Sequence, residues 1–267
     1  MLLSLIIPIY NEEEAFPFLL PALKKVLAEI DCQSEIIFVN DGSRDGSLKL
    51  LQKATEDPGI KVLSFSRNFG HQAAITAGLD FASGDAIAVM MADGSDSAED
   101  LVRYYRKLQE GYDCAFGSRF IRGSKIVDYP VHKLAINRLA NWFVRILFRL
   151  RYNDITNAFK CYRRAAIDGM QPLISAHFNL TVEMPLKAIV RGYSYAVVPI
   201  SWTNRKSGIS KLKIKEMGSR YLFIVLHVWL EQHLSRGDYL RSEEAGEQSP
   251  GVSTSGDAVR RVRAPRG

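Results

Sequence analysis

Short apolar runs alternate with longer amphipathic stretches over the first 118 residues of the chain. The apolar runs have the length of buried strands, and the stretches between them repeat apolar residues at helical spacing. Strands that are apolar throughout and alternate with helices are typical of a parallel sheet covered on both faces. The predicted strands are 3–9, 35–40, 60–66, 85–91 and 112–118, and the predicted helices are 13–30, 46–55, 71–82 and 97–111.

A polar motif follows each of these apolar runs. In chain order the motifs are YNE (10–12), NDGS (40–43), SRNFG (66–70), MADGSD (91–96) and GSRF (117–120). Ligands of parallel sheets bind beyond the carboxyl ends of the strands. The pattern therefore predicts one site, built from all of these motifs, at one edge of the sheet.

The pattern changes after residue 130, where a long amphipathic helix is predicted over 131–150. A basic rim beside an aromatic stripe is typical of a helix on a membrane surface, although a helix packed in the core gives a similar pattern. The stripe consists of Leu139, Trp142, Phe143, Ile146 and Leu150, and the rim of Arg138, Arg145 and Arg149.

The C-terminal part of the chain divides into an apolar segment and a polar one. Residues 221–230 are apolar, but they fall short of the ~20 residues needed to span a bilayer, and they suit shallow insertion or burial. We expect a folded domain over 1–215, a membrane-associating amphipathic helix over 216–234, and a disordered tail over 235–267.

Positive charge is concentrated in two segments, 119–151 and 203–220, and together they exceed the net charge of +6. Such segregation indicates an anionic partner: phosphates, nucleic acid or a lipid surface. Nucleic acid is disfavoured because the basic segments lack a recognition motif and their aromatic residues lie on the apolar stripe. The three cysteines lack metal-ligand spacing, which indicates reduced thiols in a cytosolic compartment.

The acids of the MADGSD motif have two interpretations. Ser95 or Ser97 followed by an acid is typical of a helix start, so capping explains part of the pattern. Capping does not explain why both Asp93 and Asp96 precede the helix. Carboxylates at a strand end suit Mg²⁺ or Mn²⁺, which bind through one or two carboxylates plus substrate phosphates.

Two further motifs suit a nucleotide, although each has a structural alternative. Asp41 and Ser43 are suited to accept hydrogen bonds from a base or ribose, but the same residues form an Asx turn. Arg67 and Asn68 precede a helix N-terminus, a place that favours phosphate. The chain contains neither a dinucleotide-binding glycine motif nor a P-loop.

Seven motifs in this order resemble those of the inverting family-2 glycosyltransferases of GT-A fold. The branch most similar contains the dolichol-phosphate mannose synthases and the bacterial polyprenyl-phosphate glycosyltransferases, and the resemblance covers about residues 1–215. The motifs are PIYNE (8–12), VNDGS (39–43), RNFGHQAA (67–74), MADGSD (91–96), FGSRF (116–120), DITNAFKCYRR (154–164) and RKSGISK (205–211).

This resemblance implies an α/β fold of GT-A (Rossmann-like) type: a mostly parallel sheet flanked by helices, with C-terminal amphipathic interfacial helices. It implies transfer of a sugar from a nucleotide diphosphate sugar to a dolichyl or undecaprenyl phosphate, in cell envelope polysaccharide biosynthesis. The enzyme would act at the cytoplasmic face of the membrane with Mg²⁺ or Mn²⁺. Attachment would be peripheral, to anionic lipid or through an integral-membrane partner.

The resemblance also assigns roles to individual residues. The nucleotide-sugar pocket would contain Pro8, Tyr10, Asn11, Glu12, Asp41, Ser43, Asn68, Ala92 and Asp93. A metal would be held by Asp93, Ser95 and Asp96, and the catalytic residues that neutralise the phosphates would be Asp93, Arg119, Arg205 and Lys211.

Two residues depart from the family pattern. Asn40 stands where many relatives have an acid, and Met91 replaces the first aspartate of the family's D-x-D motif. Met91 therefore favours a second hypothesis, a non-catalytic relative that acts as an assembly subunit. A third hypothesis is a soluble family-2 enzyme that acts on a polysaccharide acceptor.

Overall fold

The computed structural model describes residues 1–175, 179–204 and 214–241. The strands are β1 (Leu3–Ile9), β2 (Ser34–Asn40), β3 (Ile60–Ser64), β4 (Ala86–Val89), β5 (Cys114–Ser118), β6 (Lys125–Val127), β7 (Lys160–Arg163), β8 (Tyr195–Pro199) and β9 (Ser201–Thr203). The helices are α1 (Phe16–Ala28), α2 (Ser47–Ala54), α3 (His71–Phe81), α4 (Asp100–Gln109), α5 (Val131–Leu147), α6 (Arg164–Gly169), α7 (Leu180–Val190) and α8 (Ile214–Leu234).

The central sheet has the strand order β3-β2-β1-β4-β7-β5-β8. Strands β1 to β4 pair in parallel, and β5 pairs in parallel with β8. Strand β7 is antiparallel to both of its neighbours, β4 and β5. The expected mostly parallel sheet is therefore confirmed, and the five predicted strands all point the same way.

Strand β1 lies inside this sheet, between β2 and β4, and is buried along its whole length. Its side chains alternate between two hydrophobic layers, because successive residues of a strand face opposite sides. Ile6 packs in the layer of α3, while Leu5 and Ile7 pack in the layer that contains residues of α1 and α4. Burial on both faces explains why the sequence shows a continuous apolar run here.

Helix α5 exposes most of its apolar side chains instead of burying them. Most of the predicted apolar stripe faces solvent, with Leu139 65% and Trp142 57% exposed, and Phe143 and Ile146 are exposed as well. The buried residues of the helix are Asn141 and Val144. The core-packing interpretation of the stripe is therefore wrong within the part of the chain that the structure describes.

The stripe is also shorter than predicted. The helix ends at Leu147, and Leu150 beyond it packs partly against the core.

Helix α8 packs against α7 and also exposes apolar residues. It buries Ile224, Val225 and Val228 and exposes Leu222, Phe223, Leu226, Leu230 and Leu234. Within the described segments, no helix combines the length and apolarity that crossing a bilayer requires.

Residues 235–241, which the sequence places in the tail, contact the folded domain. The Arg241 N–H donates to the Arg191 carbonyl at 2.9 Å, and Arg241 Nη1 lies 2.7 Å from Asp113 Oδ2. Residues 242–267 lie outside the described residues.

Gly42 allows two loops of the site to approach each other. It has φ 66°, and a Cβ at this position would lie 2.6 Å from Asn68 N and against the Arg67 carbonyl carbon. We expect Gly42→Ala to lower the free energy of unfolding by about 1–3 kcal/mol more than Gly111→Ala does. Gly111 has φ 95° and open space around its Cβ position, so it controls for the backbone conformation alone.

Urea denaturation of both variants measures this difference. Equal losses of stability in the two variants would contradict the prediction, because they would show that the close approach of the two loops at Gly42 does not contribute to stability.

Candidate active site

The loops after β1 and β2 are joined by hydrogen bonds. Asn11 has a left-handed backbone (φ 56°), and its N–H donates to Ser43 Oγ at 3.0 Å. Its Oδ1 accepts from the Arg44 N–H at 2.8 Å, and the Glu12 N–H donates to Ser47 Oγ at 2.9 Å. Three residues expected to bind the nucleotide sugar, Asn11, Glu12 and Ser43, therefore lie together.

The other two residues predicted from the first motif lie at the end of β1. Pro8 is buried within the strand, opposite Val39 of β2. Tyr10 is half-buried directly after the strand. Pro8 thus shapes the strand end, and Tyr10 stands at the edge where the loops begin.

Asp41 links the second loop to the third. Its Oδ1 accepts from the Phe69 N–H at 2.7 Å, and its Oδ2 accepts from the Gly70 N–H at 3.0 Å. Burial raises the pKa of Asp41, and the two backbone donors only partly oppose this. The carboxylate therefore orders the loop that carries the exposed Asn68, and contact with a base or ribose would use its remaining lone pairs.

The MADGSD loop brings three predicted residues together. Asp93 Oδ1 accepts from the Ser95 N–H at 3.0 Å, and the Ser95 carbonyl accepts from the Thr203 N–H at 2.9 Å. Asp96 is buried and pairs with Trp202 of β9. Strand β9, which was not predicted, therefore fixes the loop that carries the acids.

The capping interpretation of this loop is wrong. Helix α4 begins at Asp100, and its N-cap residue, Glu99, makes no side-chain capping hydrogen bond. Asp100 instead accepts from the Ser201 N–H at 2.8 Å through Oδ2. Helix α4 thus begins without the side-chain cap that Ser95 or Ser97 was expected to provide.

Asp96 is a buried acid, and burial disfavours its charged form. Burial raises its pKa to about 7, and the nearby negative charge of Asp93 contributes in the same direction. Among the residues that the structure describes, its Oδ1 has no hydrogen-bond partner. A buried carboxylate oxygen of this kind favours either a proton or a cation.

Met91 and His71 contact each other beside these acids, at 3.0 Å between Met91 Sδ and His71 Nε2. Burial lowers the pKa of His71 to about 4, although Asp93 opposes the shift. A histidine at the start of α3 carried no signal in the sequence, and only the sheet order places it next to β4. The position of the missing family aspartate is therefore occupied by a neutral pair.

Arg119 is paired with a carboxylate inside the protein. It is buried, its Nε lies 2.8 Å from Asp154 Oδ2, and its Nη2 lies 2.6 Å from Asp154 Oδ1. Burial alone lowers the pKa of Arg119, but Asp154 outweighs it and the net pKa is raised. The guanidinium that was expected to grip phosphate thus has a carboxylate partner that the sequence did not reveal.

Arg205 and Lys211 lie outside the described residues. The described chain before them ends at Asn204, whose N–H donates to the Val127 carbonyl at 3.0 Å.

A cavity of about 650 Å³ opens beside Asp93. Helix α1 forms one wall with Phe18 and Leu19, and the MADGSD loop forms another with Ala92, Asp93 and Asp96. The nucleotide-sugar residues from β1, β2 and β3 lie outside this cavity's lining. Asp93 lines this cavity and also lies close enough to His71, at the start of α3, to influence the pKa of that histidine.

The acids partly fit a divalent cation. Over residues 1–175, 179–204 and 214–241, no group of three His, Cys, Asp or Glu side chains is arranged to hold a metal. Asp93 and Asp96 nevertheless line one cavity, and Asp96 has the buried oxygen described above. Two carboxylates fit a Mg²⁺ or Mn²⁺ ion that takes its other ligands from water and substrate phosphates.

The family model described as "Glycosyl transferase family 2" matches residues 4–168. The chain belongs to this family. It is similar to a polyprenol monophosphomannose synthase of Mycolicibacterium smegmatis, with 32% identity over 78% of this chain and 79% of the relative. It is also similar to an undecaprenyl-phosphate 4-deoxy-4-formamido-L-arabinose transferase of Klebsiella pneumoniae, with 31% identity over 78% of this chain and 62% of that protein.

A solved structure supports the fold. The mannosyltransferase PcManGT of Pyrobaculum calidifontis, in complex with GDP-Man and Mn²⁺, superposes with a TM-score of 0.55 at 15% identity. The match covers 94% of this chain and 76% of that one. The chain is thus a glycosyltransferase of GT-A type, a class that commonly uses divalent metals.

The raised pKa of Asp96 predicts a pH-dependent stability. Between about pH 4 and pH 7 the folded state holds a proton that the unfolded state has lost, so the free energy of unfolding falls as the pH rises. Asp96→Asn removes this loss. We expect the stability of the variant relative to the original protein to rise across that window, as measured by urea denaturation with EDTA present.

Asp80→Asn, which removes an exposed carboxylate on α3, controls for the change in net charge. A stability difference between Asp96→Asn and the original protein that stays constant with pH would contradict the assignment.

Proposed function

We propose that this glycosyltransferase moves a sugar, with inversion, from a nucleotide diphosphate sugar to a polyprenyl phosphate at the cytoplasmic face of a membrane. The observation that carries the proposal is the exposed apolar stripe of α5 in a chain whose polar loops form a carboxylate-lined edge. This combination suits an acceptor with an anionic head and an apolar chain. The names of the two relatives refer to a polyprenol monophosphate sugar and to undecaprenyl phosphate.

The chemistry requires no strong general base. An oxygen of the lipid phosphate is already anionic at neutral pH and attacks the anomeric carbon of the donor sugar. The bond from that carbon to the β-phosphate oxygen breaks, and a nucleoside diphosphate leaves with the electron pair. The main task of the protein is to align the two phosphates and to neutralise their charge.

Cationic side chains supply part of this neutralisation. We assign Arg119, Arg205 and Lys211 to bind the departing diphosphate and the acceptor phosphate. The guanidinium groups of the arginines can each bind two phosphate oxygens, and the lysine supplies a compact positive charge. Asp154 holds two nitrogens of Arg119, so this arginine would act through its remaining N–H groups and its positive field.

Asp93 is the residue with the central role. It lines the cavity, and together with Ser95 and Asp96 it would hold Mg²⁺ or Mn²⁺. Such an ion stabilises negative charge on the leaving diphosphate when bound. Met91 supplies a thioether, a poor ligand for these ions, so binding would depend on the donor phosphates more than in relatives with two aspartates.

The outward apolar faces of α5 and α8 would hold the enzyme on the membrane. Basic residues beside the stripe, including Arg145 and Arg149, are exposed and would attract anionic lipid. Attachment would be peripheral, with an integral-membrane partner as a further means of anchoring.

Incubation of the purified protein with a panel of nucleotide sugars and a polyprenyl phosphate, followed by mass spectrometry of the lipid, tests the proposal. We expect one donor to yield a glycosylated lipid phosphate. Asp93→Ala should lower kcat by about 10²-fold or more with an unchanged melting temperature, and excess EDTA should have a similar effect that added Mn²⁺ reverses. Asp80→Asn, far from the edge, serves as the matched control.

The polyprenyl assignment would be contradicted if the enzyme transferred sugar only to a soluble polysaccharide acceptor. It would also be contradicted if no donor gave a product. Full turnover in chelated buffer would remove the metal from the mechanism, and a fully active Asp93→Ala variant would remove Asp93.

The exposed stripe predicts binding to anionic vesicles. Burial of a large apolar side chain contributes about 2 kcal/mol, so Leu139→Gln combined with Trp142→Gln should lower vesicle partitioning by at least about tenfold. Sedimentation with vesicles measures the change. Phe81→Gln, which removes an exposed aromatic residue from α3, should leave partitioning unchanged, and an equal loss in both variants would contradict the prediction.

A further inference from the structure

The hydroxyl of Thr156 connects the Arg119–Asp154 pair to helix α5. It accepts from Arg119 Nη2 at 3.2 Å and lies 3.3 Å from Asp154 Oδ1, to which it donates. From the helix it accepts from Asn137 Nδ2 at 2.7 Å and from Asn141 Nδ2 at 3.1 Å. One side chain thus contacts the buried ion pair and two successive turns of the helix.

The two asparagines lie on the inner face of α5, beside the buried Val144. Asn141 is 2% exposed, whereas its neighbour in sequence, Trp142, is 57% exposed. Asn141 also donates to Asn137 Oδ1 at 2.8 Å. The helix therefore turns two amides toward the ion pair, while most of its apolar stripe faces its surroundings.

The Thr156 hydroxyl has more partners than it can satisfy at once. A hydroxyl has one proton and two lone pairs, but three N–H donors point at this oxygen while it donates to Asp154. At most two of the three incoming hydrogen bonds are fully formed at any moment. A small shift of α5 therefore changes which donors hold the hydroxyl, and with them the restraint on Arg119.

We propose that Thr156, Asn137 and Asn141 are positioning residues that couple the seating of α5 on a membrane to the orientation of Arg119. Contact of the apolar stripe with lipid fixes the helix, the asparagines fix the Thr156 hydroxyl, and the hydroxyl fixes the guanidinium. The usefulness of this coupling rests on the proposed function, because the coupling makes transfer fast at the membrane, where the lipid acceptor is.

The test uses a short, water-soluble isoprenyl phosphate as acceptor, with and without empty vesicles of anionic phospholipid. Vesicles should raise kcat of the original protein by about fivefold or more, the range of a typical coupling free energy. Thr156→Val, which keeps the shape and removes the hydroxyl, should bind vesicles equally but respond by less than about twofold. Thr156→Ser should retain the response.

Asn137→Ala provides a second variant, because Asn137 is only half-buried and its loss should be tolerated by the fold. Melting temperatures show whether each variant is folded. A full vesicle response in both Thr156→Val and Asn137→Ala would overturn the proposal, as would an active original protein that vesicles do not stimulate.

A second readout is independent of transfer. Hydrogen–deuterium exchange of residues 116–122 and 153–157 should slow when vesicles are added to the original protein, but not when they are added to Thr156→Val. If no isoprenyl phosphate is glycosylated, the proposed function fails while this exchange difference still supports the coupling. Unchanged exchange in the original protein on vesicle binding overturns the coupling whatever the acceptor.

Discussion

The parallel alignment of β1 to β5 is the constraint on which the site depends. Because these strands point the same way, each loop that follows one of them emerges at the same edge. Hydrogen bonds then join neighbouring loops: Asn11 to Ser43, and Asp41 to the backbone of Phe69 and Gly70. No single loop forms a site, but the sheet brings them to one place in a fixed order.

Beneath this edge lies a set of charged side chains that are buried away from the surface. Arg119 and Asp154 neutralise each other at close range, while Asp96 and Lys160 are buried nearby. Burial raises the pKa of Asp96 to about 7 and lowers the pKa of Lys160 to about 7. The positive and negative side chains therefore balance only as a group, and removal of one member would leave another uncompensated.

Much of the fold could be predicted because burial on both faces leaves a continuous apolar run in each parallel strand. Strand β7 could not be, since it is short and begins with Lys160, whose Nζ is buried against the carbonyls of Ile155 and Thr181. Helix α7 was hidden in a similar way. Its charged residues Glu183 and Lys187 are fully buried as an ion pair, so its sequence lacks a clear amphipathic pattern.

Some features of the site could also be predicted from the sequence, and others could not. Local motifs were enough to bring Asn11, Glu12, Ser43 and Asp93 to one edge, because each directly follows a strand. The partner of Arg119 is 35 residues away in sequence, and no local pattern identifies it. The outward direction of the α5 stripe was equally unpredictable, since buried and lipid-facing helices share one periodicity.

The position of β7 has a consequence for how the chain folds. Strands β1 to β4 can pair as they are synthesised, but β5 cannot join them until Lys160–Arg163 has been inserted between β4 and β5. A nascent or truncated chain that ends before this segment leaves β4 and β5 with unpaired edges, which are templates for pairing with other chains. Protection from aggregation during synthesis therefore depends on a four-residue strand that arrives late.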